Sequence, residues 1–596
     1  MPSASADDRR LAVFAPWTAL LALAAALALQ DIRSLDYWWH LRAGQLIAET
    51  GAVPRSDPFT YTVPGARWID IHWLFQLGLH ALFACGGHAA VVLSQLVLVG
   101  VLLAALAPIG YRRERAWLSA GALALMLVVA GSRLQARPEL PSFVLLAWVL
   151  RLLDRFARAP DRRVYAIGAL QLVWVNVHGL FAAGIGVCAI ELAGELLRAL
   201  GRAGEPLRTD RVRRLAAVTL LAALVSVANP NGLEGALYPL GQLDLVSSAE
   251  RRGVLGASID ELRPIFSVQS PIVLGPFLAL AGLSLGAIAA NWKRVREADL
   301  LLWVAFFYLA IGAMRNTALF AVVAAPTLVR NANEALGARL ASARAREIGA
   351  ALATGLALFV ALDAARGRWF SRTGRATELG LGIAEGINPI GAAEWIARAR
   401  PPAPIAHGMG DGGYLIWRLW PEYSVMSDGR LEVFGPDLLR LQPSDSARFA
   451  ELDAKYHFGT VLLNHRLSPT GPLAGELLAS GAWRLTYADD VSVVFVRGDA
   501  DPLRWPAFDL GARGVFEALD GVGEDATRQR LVARVKLLLS LNRPDLALHR
   551  YEDALAAHPD LPDSAEVLAR LRAMAEARPA AGEAPDAGEL ATPSPP

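Results

Sequence analysis

Apolar runs close to the length of a membrane span recur along roughly the first 370 residues. They begin near residues 11, 88, 116, 139, 164, 179, 213, 270, 298, 317 and 347. A helix needs about 20 apolar residues to cross the hydrocarbon, fewer where neighbours shield its ends. The pattern predicts a mainly α, polytopic membrane protein with about eleven transmembrane helices. Apolar residues make up 54% of the 596-residue chain and charged residues 19%, more apolar surface than a soluble domain can hide. The first run has no small-residue cleavage site, so it reads as a retained helix and not as a removed signal peptide. A net charge of +2 gives no footprint for a nucleic-acid partner. Cys85 and Cys188 both lie in apolar runs, which argues against a disulfide framework.

The connections between runs fall into two sets. YRRER (111–115), RLLDRFARAPDRR (151–163), RAGEPLRTDRVRR (202–214), NWKRVRE (291–297) and ARLASARAREI (338–348) are short and arginine-rich. The positive-inside rule assigns these, and the N-terminus with Arg9 and Arg10, to the cytoplasm. An odd number of spans then places everything after about residue 366 on the outer face.

The other set carries mixed charge. It comprises 31–87, GSRLQARPEL (131–140), NVHGL (176–180), the stretch from NPNGLEG to IDELRP (229–264) and MRNTALF (314–320). It holds Asp31, Asp36, His40, Asp57, Asp70, Arg133, Arg137, Glu139, His178, Glu234, Asp260, Glu261, Arg263 and Arg315. Charge near bilayer depth costs roughly 2.5–3.5 kcal/mol per residue on insertion scales, so such groups turn toward a protein cavity. As single residues they are snorkelling or capping groups as readily as functional ones. As a set they predict one shared polar cavity.

Within the long first loop, DYWWHLRAGQLIAETG opens an amphipathic helix. Trp38 and Trp39 suit the membrane interface, where anchoring is the first expectation and substrate stacking the second. Asp36 and His40 are four residues apart and share a helix face, so the carboxylate can set the imidazole tautomer or share a metal with it. It can also take a proton from an attacking hydroxyl. The alternative is a capping acid and an exposed histidine. WIDIHWLFQLGLHALFACGG, next along the loop, reads as a juxtamembrane helix or a short extra span.

After the last span the composition changes. A helix and short strand in 386–408, then YSVMSD, TVLLN, WRLTYAD and VSVVFVR as strands, predict a small α/β soluble domain at 375–500. ADD between the last two strands suits a hairpin turn. Asp428 and Arg430 either reach the cavity or form a turn with a salt bridge. Residues 510–578 resemble one tetratricopeptide unit, a C-terminal α-helical repeat that must lean on a neighbouring domain or a protein partner. The Ala-, Pro- and Gly-rich tail 579–596 has the composition of a disordered segment.

Several stretches together resemble the GT-C glycosyltransferases, multispanning enzymes that use polyprenyl-phosphate-linked sugars. They are DYWWHLRAGQLIAETGAVPRSDPFTYT, ARPELPSF, WVNVHGL, NPNG, IDELRP, AMRNTALF and GGYLIWRLWPEYSVMSDGRLEVFG. More narrowly, they resemble a bacterial subgroup with a C-terminal periplasmic domain and tetratricopeptide-like helices. The resemblance implies a GT-C-like membrane domain over 1–368, with residues 31–87 as its long first periplasmic loop. It implies Asp36 as catalytic base, Asp31 as second choice, and His40 beside them. Arg137, Arg263 and Arg315 would hold the lipid phosphate, with Asn316 at the same loop. His178 and Glu261 would line the acceptor side. A divalent metal at Asp36 is a further expectation, although no compact DD or DE pair ends the first span and no WWD-type motif appears in the tail. The function implied is transfer of a sugar from a polyprenyl-phosphate donor to a periplasmic lipid, glycan or protein in the bacterial inner membrane. The alternative is a non-catalytic scaffold in envelope assembly that binds partners through its C-terminal domain.

Overall fold

The computed structural model describes residues 6–201, 208–247, 260–373, 378–384, 386–467, 471–511, 524–557 and 564–577. The chain divides into two compact units. The first comprises Met1–Pro58, Val63–Glu385 and Gly429–Arg440, and the second Phe59–Thr62, Gly386–Asp428 and Leu441–Pro596.

The first unit is helical. Its helices are α1 (Ala6–Ala28), α2 (Asp36–Thr50), α3 (Trp73–Leu106), α4 (Ala116–Ala130), α5 (Glu139–Arg158), α6 (Ala166–Val175) and α7 (Phe181–Gly201). They continue with α8 (Thr209–Val225), α9 (Gly232–Ser247), α10 (Pro271–Ala290), α11 (Glu297–Gly312), α12 (Thr317–Leu340) and α13 (Ala343–Ala365). Every apolar run thus lies in a helix, and all but the run near residue 88, which is the second part of α3, begin within a few residues of the expected start. Among the described residues, four segments are both long and apolar enough to cross a membrane: Trp73–Leu106, Arg113–Arg133, Pro271–Ala290 and Ala343–Ala365. Val13–Ala28 is a shorter apolar helix. The protein is therefore a mainly helical, multi-pass membrane protein; eleven spans is more than length and composition establish.

Helix α12 lies at the centre of this unit. From Thr317 to Val329 every side chain is buried, as expected of a helix that is apolar on all faces. It packs against α4, α10 and α11. WIDIHWLFQLGLHALFACGG becomes the first half of α3, which breaks at Gly86 and Gly87 before the apolar run begun near residue 88. Gly87, at φ +61°, takes a left-handed conformation that a side chain would strain.

The second unit holds a four-stranded sheet in the order β1-β2-β4-β3, formed by β1 (Ile405–Ala406), β2 (Thr460–Asn464), β3 (Trp483–Ala488) and β4 (Ser492–Arg497). β1 and β2 are parallel, and the other pairs antiparallel, with Val461 opposite Phe495. All five residues of β2 are buried. β3 and β4 are joined at Asp489, whose carboxylate accepts from the Val491 and Ser492 N–H groups at 2.8 and 2.7 Å, so the ADD turn is a side-chain-capped one. YSVMSD, expected as a strand, is not one. Val425 makes only an isolated bridge to Thr60, and the His407 Nε2 accepts from the Met426 N–H at 2.8 Å. Helices Glu524–Ser540, Pro544–Ala557 and Ser564–Glu576 occupy the repeat-like segment. The tail 579–596 lies outside the described residues.

Candidate functional site

Asp36 is the first residue of α2, and no side chain caps that helix. Its Oδ1 accepts from the Trp39 Nε1–H at 3.3 Å, and its Oδ2 lies 3.7 Å from Arg137. Gly429 passes over the carboxylate so closely that a Cβ there would collide with Oδ1. Asp36 is nonetheless 35% exposed. Desolvation by the surrounding chain raises its pKa above the ordinary carboxylate value, against the pull of Arg137.

Arg137 connects the site. It donates to Ser34 Oγ at 2.8 Å and to Glu261 at 2.6 Å while facing Asp36. Glu261 in turn holds Arg133 at 2.9 Å through its other oxygen. Burial alone would raise the Glu261 pKa; the two arginines hold it below the usual range. Arg133 also lies 3.6 Å from Glu139 at the start of α5, and its Nη2 is buried with no hydrogen-bond partner. Arg315 faces Arg133, Glu139 and Glu261 but forms no ion pair with any of them.

An apolar cavity of about 480 Å³ opens against this cluster. Phe75, Leu79 and Leu82 of α3 and Leu140 of α5 line it, and Arg137 is its charged residue. Arg137 therefore lines the apolar cavity and presents its guanidinium to the Asp36 carboxylate.

Three histidines pack beside the cluster. The His40 ring lies 5.3 Å from that of His72, which lies 5.4 Å from that of His178. Burial keeps all three neutral, with His72 pushed down to about 3 and His178 to about 4. His178 Nδ1 bonds Ser142 Oγ at 3.1 Å. His40 stacks on Trp39 at 3.6 Å, and its Nδ1 is buried without a partner. Asp36 and His40 form no hydrogen bond: α2 starts at Asp36, but the carboxylate turns to Trp39.

Other expected residues have different roles. Asp31 accepts from the Gly382 N–H at 3.0 Å, pinning the 378–384 segment to the end of α1. Arg263 is exposed, and its carbonyl accepts from the Met314 N–H at 2.8 Å. The Asn316 amide donates to the Leu309 carbonyl at 3.0 Å, closing the end of α11. Glu234 pairs with Arg67. Asp70 is buried with one oxygen on the His72 N–H and Gln76, and burial lifts its pKa to about 7. The side chain of Asp260 lies outside the described residues.

Trp38 and Trp39 are not interface anchors; they are 2% and 3% exposed. Arg430 is fully buried, bonded to Asp57 at 2.8 Å and stacked over Trp68, 4.6 Å from its ring centroid. It is the salt-bridge alternative of the sequence reading, and it brings Gly429 onto Asp36. Sequence reasoning missed Ser34, Gly429 and the Trp39 bond. The SDGRLEVF glycine was the available signal.

The residues around Asp36 do not fit a divalent metal. Among the described residues no three His, Cys, Asp or Glu side chains converge to hold one. The groups facing Asp36 are an indole N–H and a guanidinium, and both Glu261 oxygens are on arginines.

No protein-family model matches the chain, and no curated protein does. Its structure is similar to the crystal structure of ArnT from Cupriavidus metallidurans bound to undecaprenyl phosphate. The two share 17% identity with a TM-score of 0.45, over 82% of this chain and 98% of the other. A superposition that loose does not carry a site or a substrate from one chain to the other.

Proposed function

We propose that the chain is a GT-C-type glycosyltransferase of the bacterial inner membrane, moving a sugar from a polyprenyl phosphate to an acceptor on the periplasmic side. One observation carries the reading: Arg137 stands between an apolar cavity and the Asp36 carboxylate. The sequence stretches that resemble GT-C enzymes supply these same residues. A polyprenyl tail suits the cavity, and its phosphate suits guanidinium groups, whose forked donors match phosphate oxygens. Arg137 and Arg315 are the proposed phosphate ligands, with Arg133 held ready by Glu261 and Glu139.

In the proposed reaction the acceptor hydroxyl attacks the anomeric carbon and loses its proton to Asp36. The new glycosidic C–O bond forms as the C–O bond to phosphate breaks. The bonding pair leaves on the phosphate, where fixed positive charge favours the developing anion. The raised pKa of Asp36 suits a base, because proton affinity nearer neutrality strengthens its pull. The mechanism has no step through a metal. His178 stays on the acceptor side of the site, the N-terminus in the cytoplasm, the α/β domain (375–500) in the periplasm, and the tetratricopeptide-like segment (510–578) available to a protein partner.

Asp36→Asn tests the reading. It keeps the Trp39 bond through its amide oxygen but removes the base. Transfer from a polyprenyl-phosphate sugar by membranes carrying the variant should fall at least about 100-fold, with insertion and melting temperature unchanged. In the active protein, activity should decline as pH falls through the Asp36 pKa, at a higher pH than an ordinary carboxylate gives. Unchanged transfer and unchanged envelope glycans in the variant would favour the scaffold reading.

A further inference from the structure

A second charged cavity, of about 250 Å³, lies at the other ends of the same helices. α5 carries Glu139 in its first turn and Asp154 near its end. At about 1.5 Å per residue those positions are roughly 22 Å apart along the axis. α11 likewise runs from Arg296, at this cavity, to the turn that holds Arg315. The cavity walls are tight. α7 meets α11 at Gly194, where a Cβ would stand 2.6 Å from the Ala298 nitrogen. The loop after α3 meets α12 at Gly110, where φ is +70° and a Cβ would stand 2.8 Å from the Arg330 nitrogen.

Most arginines here are matched by acids. Arg330 bridges Asp154, at 2.9 Å, and Asp299. Arg296 reaches Glu191 at 2.5 Å, and Arg198 reaches Glu195 at 3.0 Å. Arg211, in the first turn of α8, and Arg112, in the loop after α3, are different. Both line the cavity, and neither has a carboxylate within 4 Å among the described residues. The charges that act most strongly on Arg211 are Arg208, then Glu195, then Arg198 and Arg296, three arginines against one acid. Glu195 is already taken by Arg198. Guanidinium groups crowded in this way repel one another, and an anion between them would reverse the sign of the local interaction.

We propose that this cavity binds a phosphate group through Arg211 and Arg112, presented either by an anionic lipid headgroup or by a small soluble phosphate compound. A guanidinium fork matches phosphate oxygens and stays charged beside a membrane. The space admits a headgroup, and its lining mixes arginines and carboxylates with Phe156, Ala157 and Leu215. The site is separate from the Asp36 cluster and does not depend on the transferase reading.

The test uses the full-length protein purified in detergent. Phosphatidylglycerol is titrated and followed by native mass spectrometry, with phosphatidylcholine as the uncharged-headgroup reference. Pyrophosphate is titrated separately and followed by thermal shift. The wild type should bind at least one of the anionic probes specifically. Arg112→Gln with Arg211→Gln should weaken that probe at least tenfold, Arg211→Lys should keep part of the affinity, and added salt should weaken binding. Arg112→Gln alone, on an exposed side chain, gives a second reading if the double variant does not fold. An arginine-dependent response to phosphatidylglycerol identifies the source as lipid, and one to pyrophosphate identifies it as soluble; either supports the site. Equal affinity of wild type and variants for both probes would overturn it.

Discussion

The two ends of the helical unit both concentrate arginines and carboxylates, but they bury them differently. At the Asp36 end the acids bridge the arginines: Glu261 holds Arg133 and Arg137 together, and the group opens on an apolar cavity. At the Arg330 end the arginines bridge the acids: Arg330 joins Asp154 to Asp299, and the space beside it is lined by several arginines and carboxylates among apolar residues. A buried ion-pair network holds helices in register at either end. Among the described residues, only the first end combines it with an apolar cavity. The difference teaches that charge density alone does not mark a reactive site. What marks it is charge placed at the mouth of an apolar cavity.

The largest expected effect that sharpens this contrast is at Arg137. Arg137→Gln should reduce transfer by about 100-fold or more, since one side chain serves both phosphate and Asp36. A transfer assay with saturating donor separates this from weak donor binding. Next is Arg330→Met, which leaves Asp154 and Asp299 buried without their shared cation. It should cost about 3–5 kcal/mol of stability, read by thermal or denaturant unfolding, with activity per folded molecule preserved. A smaller effect is expected from Leu82→Trp, which fills the apolar cavity. The KM for a long-chain polyprenyl donor should rise several-fold while that for a short-chain analogue holds. An equal rise for both would place the tail elsewhere.

The smallest effect concerns Asp70. Its folded pKa, about 7, lies above the unfolded carboxylate value. The folded state therefore binds the proton more tightly, and stability falls as pH rises from about 4 to about 7. Asp70→Asn should flatten that slope in melting temperature. An unchanged slope would assign it to other groups.

Much of this organisation is legible in the sequence because it is local. Apolar runs gave helices near residues 116, 139, 270, 298 and 317, and the alternation of arginine-rich and mixed connections separated the two charged ends. TVLLN, WRLTYAD and VSVVFVR carry their strands in their own β-branched pattern. The illegible parts depend on residues far apart. Trp39 reads as an interface anchor until Trp68 and Arg430 cover it. Arg430 finds Asp57 across more than 370 residues, and nothing in either neighbourhood announces the pair. Asp31 and Asp36 look equivalent in sequence. One is engaged by the Gly382 N–H, and the other faces Arg137, because the chain turns between them at the end of α1.

The most direct test of the central claim is a density map of the full-length protein with added polyprenyl phosphate. The account predicts a phosphate within hydrogen-bond reach of Arg137 and Arg315, with the chain running along α3 past Leu79 and Leu82 and Asp36 beside the phosphate. A lipid phosphate bound away from Arg137, with the α3 cavity free of hydrocarbon, would contradict it.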